Sequence, residues 1–429
     1  MKKLIKTLFF MLIVIVAGGI AFINWQYNVF VPKDVSWTPV PNDLAYFQES
    51  YDQSRAGFIL AAQKAQKTRP DMTLGGLSVK SPTDSDLTIN YCHIPARKTP
   101  SRLLILTSGV HGVEGYVGSA VQQMFLNEIL EKTKVDDLGI LLIHGVNPYG
   151  FKNLRRVSEN NIDLNRNCSL EKDLFTSVNE GYVNLNSWLN PQGPVKMKSV
   201  GNLLFATQAI QKIITHGMPN LRQAILQGQY QFEKGIFFGG RDLDTPIKAV
   251  SPLIKEVASA YDQVFCIDLH TGYGQRGTMH LFPNPLEDEV KKSRLERIFT
   301  GIPIDWGNTD DFYTVTGDFA SYVGTLLPGK DYLTMAFEFG TLDSQTTFGS
   351  ILSLHNMILE NQGALFGFAS PLDQTQILQR YRESYYPSSE SWRSKAIADA
   401  RKVLFQAVSA YGTLNPYHVI ESPVNKTLP

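Results

Sequence analysis

Arg102–Thr107 (RLLILT) runs directly into Ser108–Gly115 (SGVHGVEG), joining an apolar stretch to a glycine-rich turn that carries His111 and Glu114. An apolar run without alternation reads as a strand covered on both faces of its sheet. Working outward, Leu87–Ile94, Gly139–Val146 (GILLIHGV), Gln263–Leu269 (QVFCIDL) and Tyr332–Phe339 (YLTMAFEF) read as further strands, while Tyr46–Lys67, Tyr116–Lys132 and Ser389–Tyr411 carry helical spacing. Strands of this type separated by helical patterns predict an α/β fold: one large domain with a mixed, mostly parallel twisted sheet covered by helices on both faces. Ligands in such sheets gather at the carboxyl ends of the strands, which is where His111 and Glu114 fall.

The chain has 429 residues, 43% of them apolar and 19% charged, and 40 Lys+Arg balance 40 Asp+Glu. That composition excludes a disordered chain, a coiled coil and a protein built for non-specific contact with nucleic acid. Cys92, Cys168 and Cys266 are far apart in sequence, which excludes a disulfide scaffold and leaves room for one bridge at most. The N-terminus places Lys2, Lys3 and Lys6 before an apolar stretch from Leu8 to Ile23, with Trp25 and Tyr27 just beyond it. The expectation is a transmembrane or signal helix over 1–30, a signal anchor that leaves the bulk of the chain outside the cytoplasm, on the periplasmic or extracellular side. A cleaved signal peptide, with small residues around Gly19 and Ala21, is a competing reading and gives a secreted protein, and a buried soluble helix is a third. Residues 31–45, with Pro32, Pro39 and Pro41, read as a spacer.

Four further elements carry chemistry. His111 and Glu114 are three apart, and imidazole plus carboxylate are ligands that a catalytic zinc accepts, although the same spacing also occurs in surface turns. Asn147–Phe151, Arg155 and Arg156, and Asp163–Asn167 (DLNRN) form a stretch rich in Asn, Arg and Gly, suited to gripping an anionic group or to a solvated loop. His270 stands at the end of the strand Gln263–Leu269, sharing one face with Asp268. Glu338, between Phe337 and Phe339, is either a buried carboxylate with a raised pKa or a water-facing residue of an edge strand. Tyr313 offers a phenol in the polar stretch before Gly317. His93, His144 and His280 sit in or beside apolar strands and read as packing residues.

In this chain order the elements resemble the carboxypeptidase-A-like zinc metallopeptidases, and among them a bacterial branch labelled only as a domain of unknown function. The resemblance spans about Leu103–Ser344. It implies one Zn²⁺ bound by His111, Glu114 and His270, with Glu338 as general base and Arg156 as the oxyanion-stabilising arginine. It also implies that Asn165 and Arg166 hold the substrate's terminal carboxylate and that Tyr313 is a mobile substrate tyrosine. The family's N-P-D-G is Asn147-Pro148-Tyr149-Gly150 here, and Cys168 replaces the usual Phe after D-L-N-R-N. An insertion at about 168–262, including Lys234–Arg241 (KGIFFGGR), stands as a candidate lid or specificity wall. The expected organisation is a catalytic domain over 46–370 followed by a helical extension over 371–429.

The implied function is a membrane-tethered zinc hydrolase of peptide amide bonds, a metallocarboxypeptidase or a cell-wall-peptide peptidase. Aspartoacylase-like enzymes share the pattern, so a deacylase or amidase of small N-acyl compounds is the alternative, and a non-catalytic zinc-binding module a third. The expected partners are a peptide or N-acyl amino-acid substrate and the membrane, with no nucleic acid. Oligomeric state is not legible.

Overall fold

Successive residues of β3 (Arg102–Ser108) point to opposite faces, and both faces are apolar: Leu104 and Leu106 enter one core cluster, Leu103 and Ile105 another. A strand of this kind needs a covering layer on each side. The computed structural model, which describes residues 2–133, 136–283, 286, 288–306 and 315–413, supplies both. With β1 (Thr73–Ser78), β2 (Thr88–Ile94), β4 (Leu138–His144), β5 (Gln263–Gly272), β6 (Met279–Phe282) and β7 (Asp331–Gly340), it forms one seven-stranded sheet ordered β1-β2-β4-β3-β5-β7-β6. The central strands β4, β3, β5 and β7 run parallel, and the flanking pairings at both edges are antiparallel. The order turns about β3, with β4 on one side and β5 on the other, so the crevice at the carboxyl ends of β3 and β5 is the switch point where such sheets bind ligands.

The principal helices are α1 (Lys2–Val29), α2 (Tyr51–Gln66), α3 (Gly115–Met124), α4 (Phe205–His216), α5 (Met218–Leu226), α6 (Thr245–Ala258), α7 (Phe319–Thr325), α8 (Thr347–Phe366), α9 (Pro371–Tyr385) and α10 (Glu390–Thr413). Phe58 of α2, Val117 and Val121 of α3 and Leu404 of α10 cover one face of the sheet, and Ile247 and Ile254 of α6 with Val323 of α7 cover the other. The helix expected over Tyr116–Lys132 is α-helical only to Met124, then widens to a π-turn at Phe125–Ile129 and tightens over Leu130–Lys132. Residues after 370 share this core. Trp392 is fully buried and donates from Nε1 to the Gly340 carbonyl at the end of β7, while Arg401 bridges Glu128 and Asp43. Cys92, Cys168 and Cys266 are free and buried.

α1 has two parts. An 18-residue window reaches a mean hydropathy of 2.4 with none of it buried, the composition of a membrane anchor or of a signal sequence. Its last turns pack on the domain, where Asn24 and Tyr27 are buried.

Candidate active site

Close backbone packing builds the site first. Gly109, with φ of 69°, turns the chain at the end of β3. Gly112 backs directly on Gly150, since a Cβ there would lie 2.1 Å from the Gly150 carbonyl carbon. The amides of Gly112 and Val113 donate to the carbonyls of Arg156 and Arg155. Asn147 caps Gly150 and donates to the Arg156 carbonyl. The turn carrying His111 and Glu114 is thereby locked against the loop carrying Arg155 and Arg156, which follows the short helix Pro148–Lys152.

Parallel pairing does the rest. β5 lies beside β3, and its residue His270 is register-paired with Glu338 of β7. His111, Glu114 and His270, all buried, place one ligand atom each within 4.8 Å of one another. Nδ1 of His111 lies 2.8 Å from Oε1 of Glu114, yet it has no hydrogen-bond partner among the described residues. Two acceptor atoms held this close without a usable hydrogen-bond angle converge on a shared point, as ligands of a cation do. Nδ1 of His270 lies 2.9 Å from Oε2 of Glu114.

The far side of each imidazole is backed by a carboxylate. Nε2 of His111 lies 3.1 Å from Oδ1 of Asp163, and Nε2 of His270 lies 2.8 Å from Oδ2 of Asp268. Such backing fixes the tautomer with the proton on Nε2 and leaves Nδ1 as the ligand atom. Thr107 in turn donates to Asp268. The residues present therefore fit a divalent metal bound by two imidazoles and a carboxylate.

Electrostatics follow from burial and pairing. Burial raises the Glu114 carboxyl, but His111 and His270 more than reverse this and hold it well below the usual range. Burial likewise raises Asp163, which Arg156, His111 and Arg166 bring far down. Arg156 donates from Nε to Asp163 at 2.9 Å and approaches Glu114 at 3.4 Å, while its own amide donates to the Tyr381 hydroxyl. Glu338 stands apart. Its Oε2 is enclosed without a hydrogen-bond partner among the described residues, and burial pushes its pKa up to about 8 against the opposing pull of His270. Since β7 lies between β5 and β6, Glu338 is not on an edge strand.

Residues 47–399 match the family described as Protein of unknown function (DUF2817). The chain belongs to that family. No curated protein matches the DUF2817 chain. Among solved structures it is similar to bovine thrombin-activatable fibrinolysis inhibitor in complex with tick carboxypeptidase inhibitor, at 13% identity over 73% of this chain and 97% of that one, with a TM-score of 0.41. It is also similar to the carboxypeptidase A from Helicoverpa armigera (12% identity, 79% and 74% of the two chains, TM-score 0.39). The metallo-carboxypeptidase from Burkholderia cenocepacia is a third such structure (10%, 73% and 70%, 0.37).

In the DUF2817 chain a pocket of about 230 Å³ collects His111, Arg156, Asn165, Arg166, His270 and Glu338. Arg166 donates to the carbonyls of Leu226 and Asn165, neutral acceptors that fix the guanidinium plane without cancelling its charge. Asn165 accepts from the Phe319 amide at the start of α7. Tyr313 lies outside the described residues. His93, His144 and His280 bond Tyr261, Ser119 and Asp305 respectively.

Three features were not singled out from the sequence. Asp163 sits in the quoted DLNRN stretch, and its signal was the acid next to the Asn-Arg pair; Asp268 and His270, two apart on one strand face, gave a similar hint. Phe237 of the insertion has φ of 57° and lies between two guanidinium groups, those of Arg156 and Arg166 each 5.5 Å from its ring centre. Tyr385 of α9 lines the pocket from beyond residue 370. Phe237 falls in Lys234–Arg241, the stretch that stood as a candidate lid or specificity wall, whereas nothing local to Tyr385 announces its position.

Proposed function

We propose that the DUF2817 chain is a membrane-tethered, zinc-dependent hydrolase of peptide amide bonds that favours substrates with a free terminal carboxylate, a metallocarboxypeptidase or cell-wall-peptide peptidase. The observation that carries this reading is the His111–Glu114–His270 ligand set beside a Glu338 whose Oε2 has no hydrogen-bond partner among the described residues, at a pocket also lined by Arg156, Arg166 and Arg222. Zn²⁺ at such a site lowers the pKa of bound water toward neutrality and polarises a carbonyl.

The chain's own groups would divide the remaining work. Glu338, with a proton affinity raised into the working range, takes the proton of the attacking water and delivers it to the departing nitrogen. Arg156, held by Asp163, donates to the oxygen on which negative charge develops. Arg166 and Asn165 receive the substrate carboxylate, and Tyr313 contributes a phenol to the substrate. Positioning is the contribution of Arg166, because a bidentate clamp fixes where the scissile bond lies.

The test is hydrolysis of matched peptides with free and amidated C-termini by the full chain, before and after chelation, with metal content measured alongside. Zinc bound near one equivalent, cleavage of the free peptides and loss on chelation are expected. Equal cleavage of amidated peptides would overturn the carboxypeptidase reading in favour of an N-acyl amidase.

A further inference from the structure

Residues 181–232 contain no Asp or Glu, in a chain with 40 of them, and carry Lys196, Lys198, Lys212 and Arg222. On the same segment Val200 and Ile214 are 73% and 79% exposed, and Leu203 is 43% exposed. Asp373 of α9 faces Lys196 and Lys198 at the far end of this segment, but on α4 itself exposed Ile214 stands two residues from Lys212, and a bulky aliphatic side chain beside a cation matches the requirements of an anionic lipid interface.

The position of this segment supplies the second observation. Asn24 of α1 donates to Thr207 of α4 at 2.5 Å. One turn later Tyr27 bonds Nδ1 of His355 at 2.8 Å, and the His355 ring stacks on Phe205 with 4.0 Å between centres and 6° between planes. Later residues of α1 thus meet earlier residues of α4, so the two helices run in opposite senses. Ile214, two turns beyond Thr207 and about 10 Å further along, lies toward the apolar part of α1, where Leu8, Phe9, Leu12 and Ile15 are exposed. After Gly217 the chain reverses into α5, which ends at Leu226, the residue that lines the pocket and holds Arg166.

We propose that the α4–α5 hairpin is a membrane-contact surface. With α1 in the bilayer, Ile214 lies in the interfacial layer, Lys212 beside it on α4 meets anionic headgroups, and the α5 wall of the pocket is held beside the membrane. The inference concerns α1 and the hairpin and stands apart from the hydrolase reading.

The experiment uses the full chain in lipid nanodiscs with an environment-sensitive fluorophore on Ile214→Cys. Leu60→Cys on α2, 68% exposed, is the control, and the three native thiols are buried. Quenching by lipid-borne quenchers at least twofold greater at 214 than at 60, stronger with anionic than with zwitterionic lipid, is expected. Equal quenching at the two positions overturns the proposal. So does an intact mass that places the mature N-terminus after α1, or cross-linking of 214 to 214 between copies without lipid quenching, which would assign the surface to a second copy. Hydrolysis of a soluble peptide by the same labelled chains reports on the active site independently.

Discussion

The two walls of the pocket are built differently. On the sheet side, His270 and Glu338 come from the ends of β5 and β7, His111 and Glu114 from the turn after β3, and Arg156 from the loop packed on that turn; all but Glu338 have ionic partners in the interior among the described residues. On the facing side, the insertion contributes α5 and the loop around Phe237, whose bonds to the site are mostly neutral: Asp163 N to Phe238 O, Asn167 to Gly239 O, Tyr230 to Arg166 O. On the proposed reading the sheet wall is preorganised for a charge-developing reaction, because dense buried pairing removes the freedom to reorganise. The helical wall holds shape through carbonyl bonds and stacking, so changes there alter what binds more than what reacts. The kinetic predictions for Glu338, Arg156 and Phe237 separate turnover from binding and so test that division.

The largest effect belongs to Glu338→Gln. Turnover should fall by about 10²- to 10⁴-fold with metal still bound, and a zinc-loaded variant with near-normal kcat removes Glu338 from the base role. Arg156→Ala follows, with kcat reduced by roughly 10²- to 10³-fold if it meets the developing charge; an effect confined to KM would move Arg156 to the binding wall. Asp268→Asn removes the carboxylate behind His270 rather than a member of the ligand set, and should weaken metal affinity by about 10- to 100-fold through the orientation of His270. Competition with a calibrated chelator measures it.

Phe237→Leu is the counterpart on the helical wall. Losing the ring between Arg156 and Arg166 should cost about 1 kcal/mol, roughly fivefold, and fall on KM rather than kcat. A larger loss in kcat than in KM would break the division between the walls. The smallest effect on neutral-pH activity is expected for His144→Gln. Burial, with a smaller push from Arg55, lowers the His144 pKa from 6.5 to about 3. Between these values the unfolded chain binds a proton that the folded chain does not. Stability present above pH 6.5 is therefore lost as pH falls toward 3, by at most about 1.4 kcal/mol per unit from this residue. Denaturant melts from pH 7 to 4 should show a shallower acid loss in the variant, though not a flat one, because His355 is lowered in the same way.

Legibility differed with the kind of signal. Continuous apolar strands ended in polar, glycine-rich turns, and this sufficed to locate β3, β4, β5 and β7 and the carboxyl-end site, because burial on both faces and a sharp turn each demand particular residue types nearby in sequence. The edge strands Thr73–Ser78 and Met279–Phe282 carry no such run, being half-covered, and were not singled out. For Arg156 and Arg166 the residue types were visible, whereas their fixed orientations were not. A guanidinium is aimed by its acceptors, and these lie up to 60 positions away at Leu226.

By itself, then, the sequence determined the α/β pattern, the apolar N-terminal helix and the set of groups able to bind a metal and move a proton. These depend on local periodicity and on the chemistry of single side chains. Only the tertiary structure decided that Glu338 lies inside the sheet with an oxygen that has no partner among the described residues, that Asp163 and Asp268 back the two imidazoles, and that Tyr385, beyond residue 370, lines the pocket. It likewise decided that an acid-free segment packs on α1. Each of these is set by long-range parallel pairing and helix docking, whose partners are separated by tens to hundreds of residues and leave no local trace in the chain.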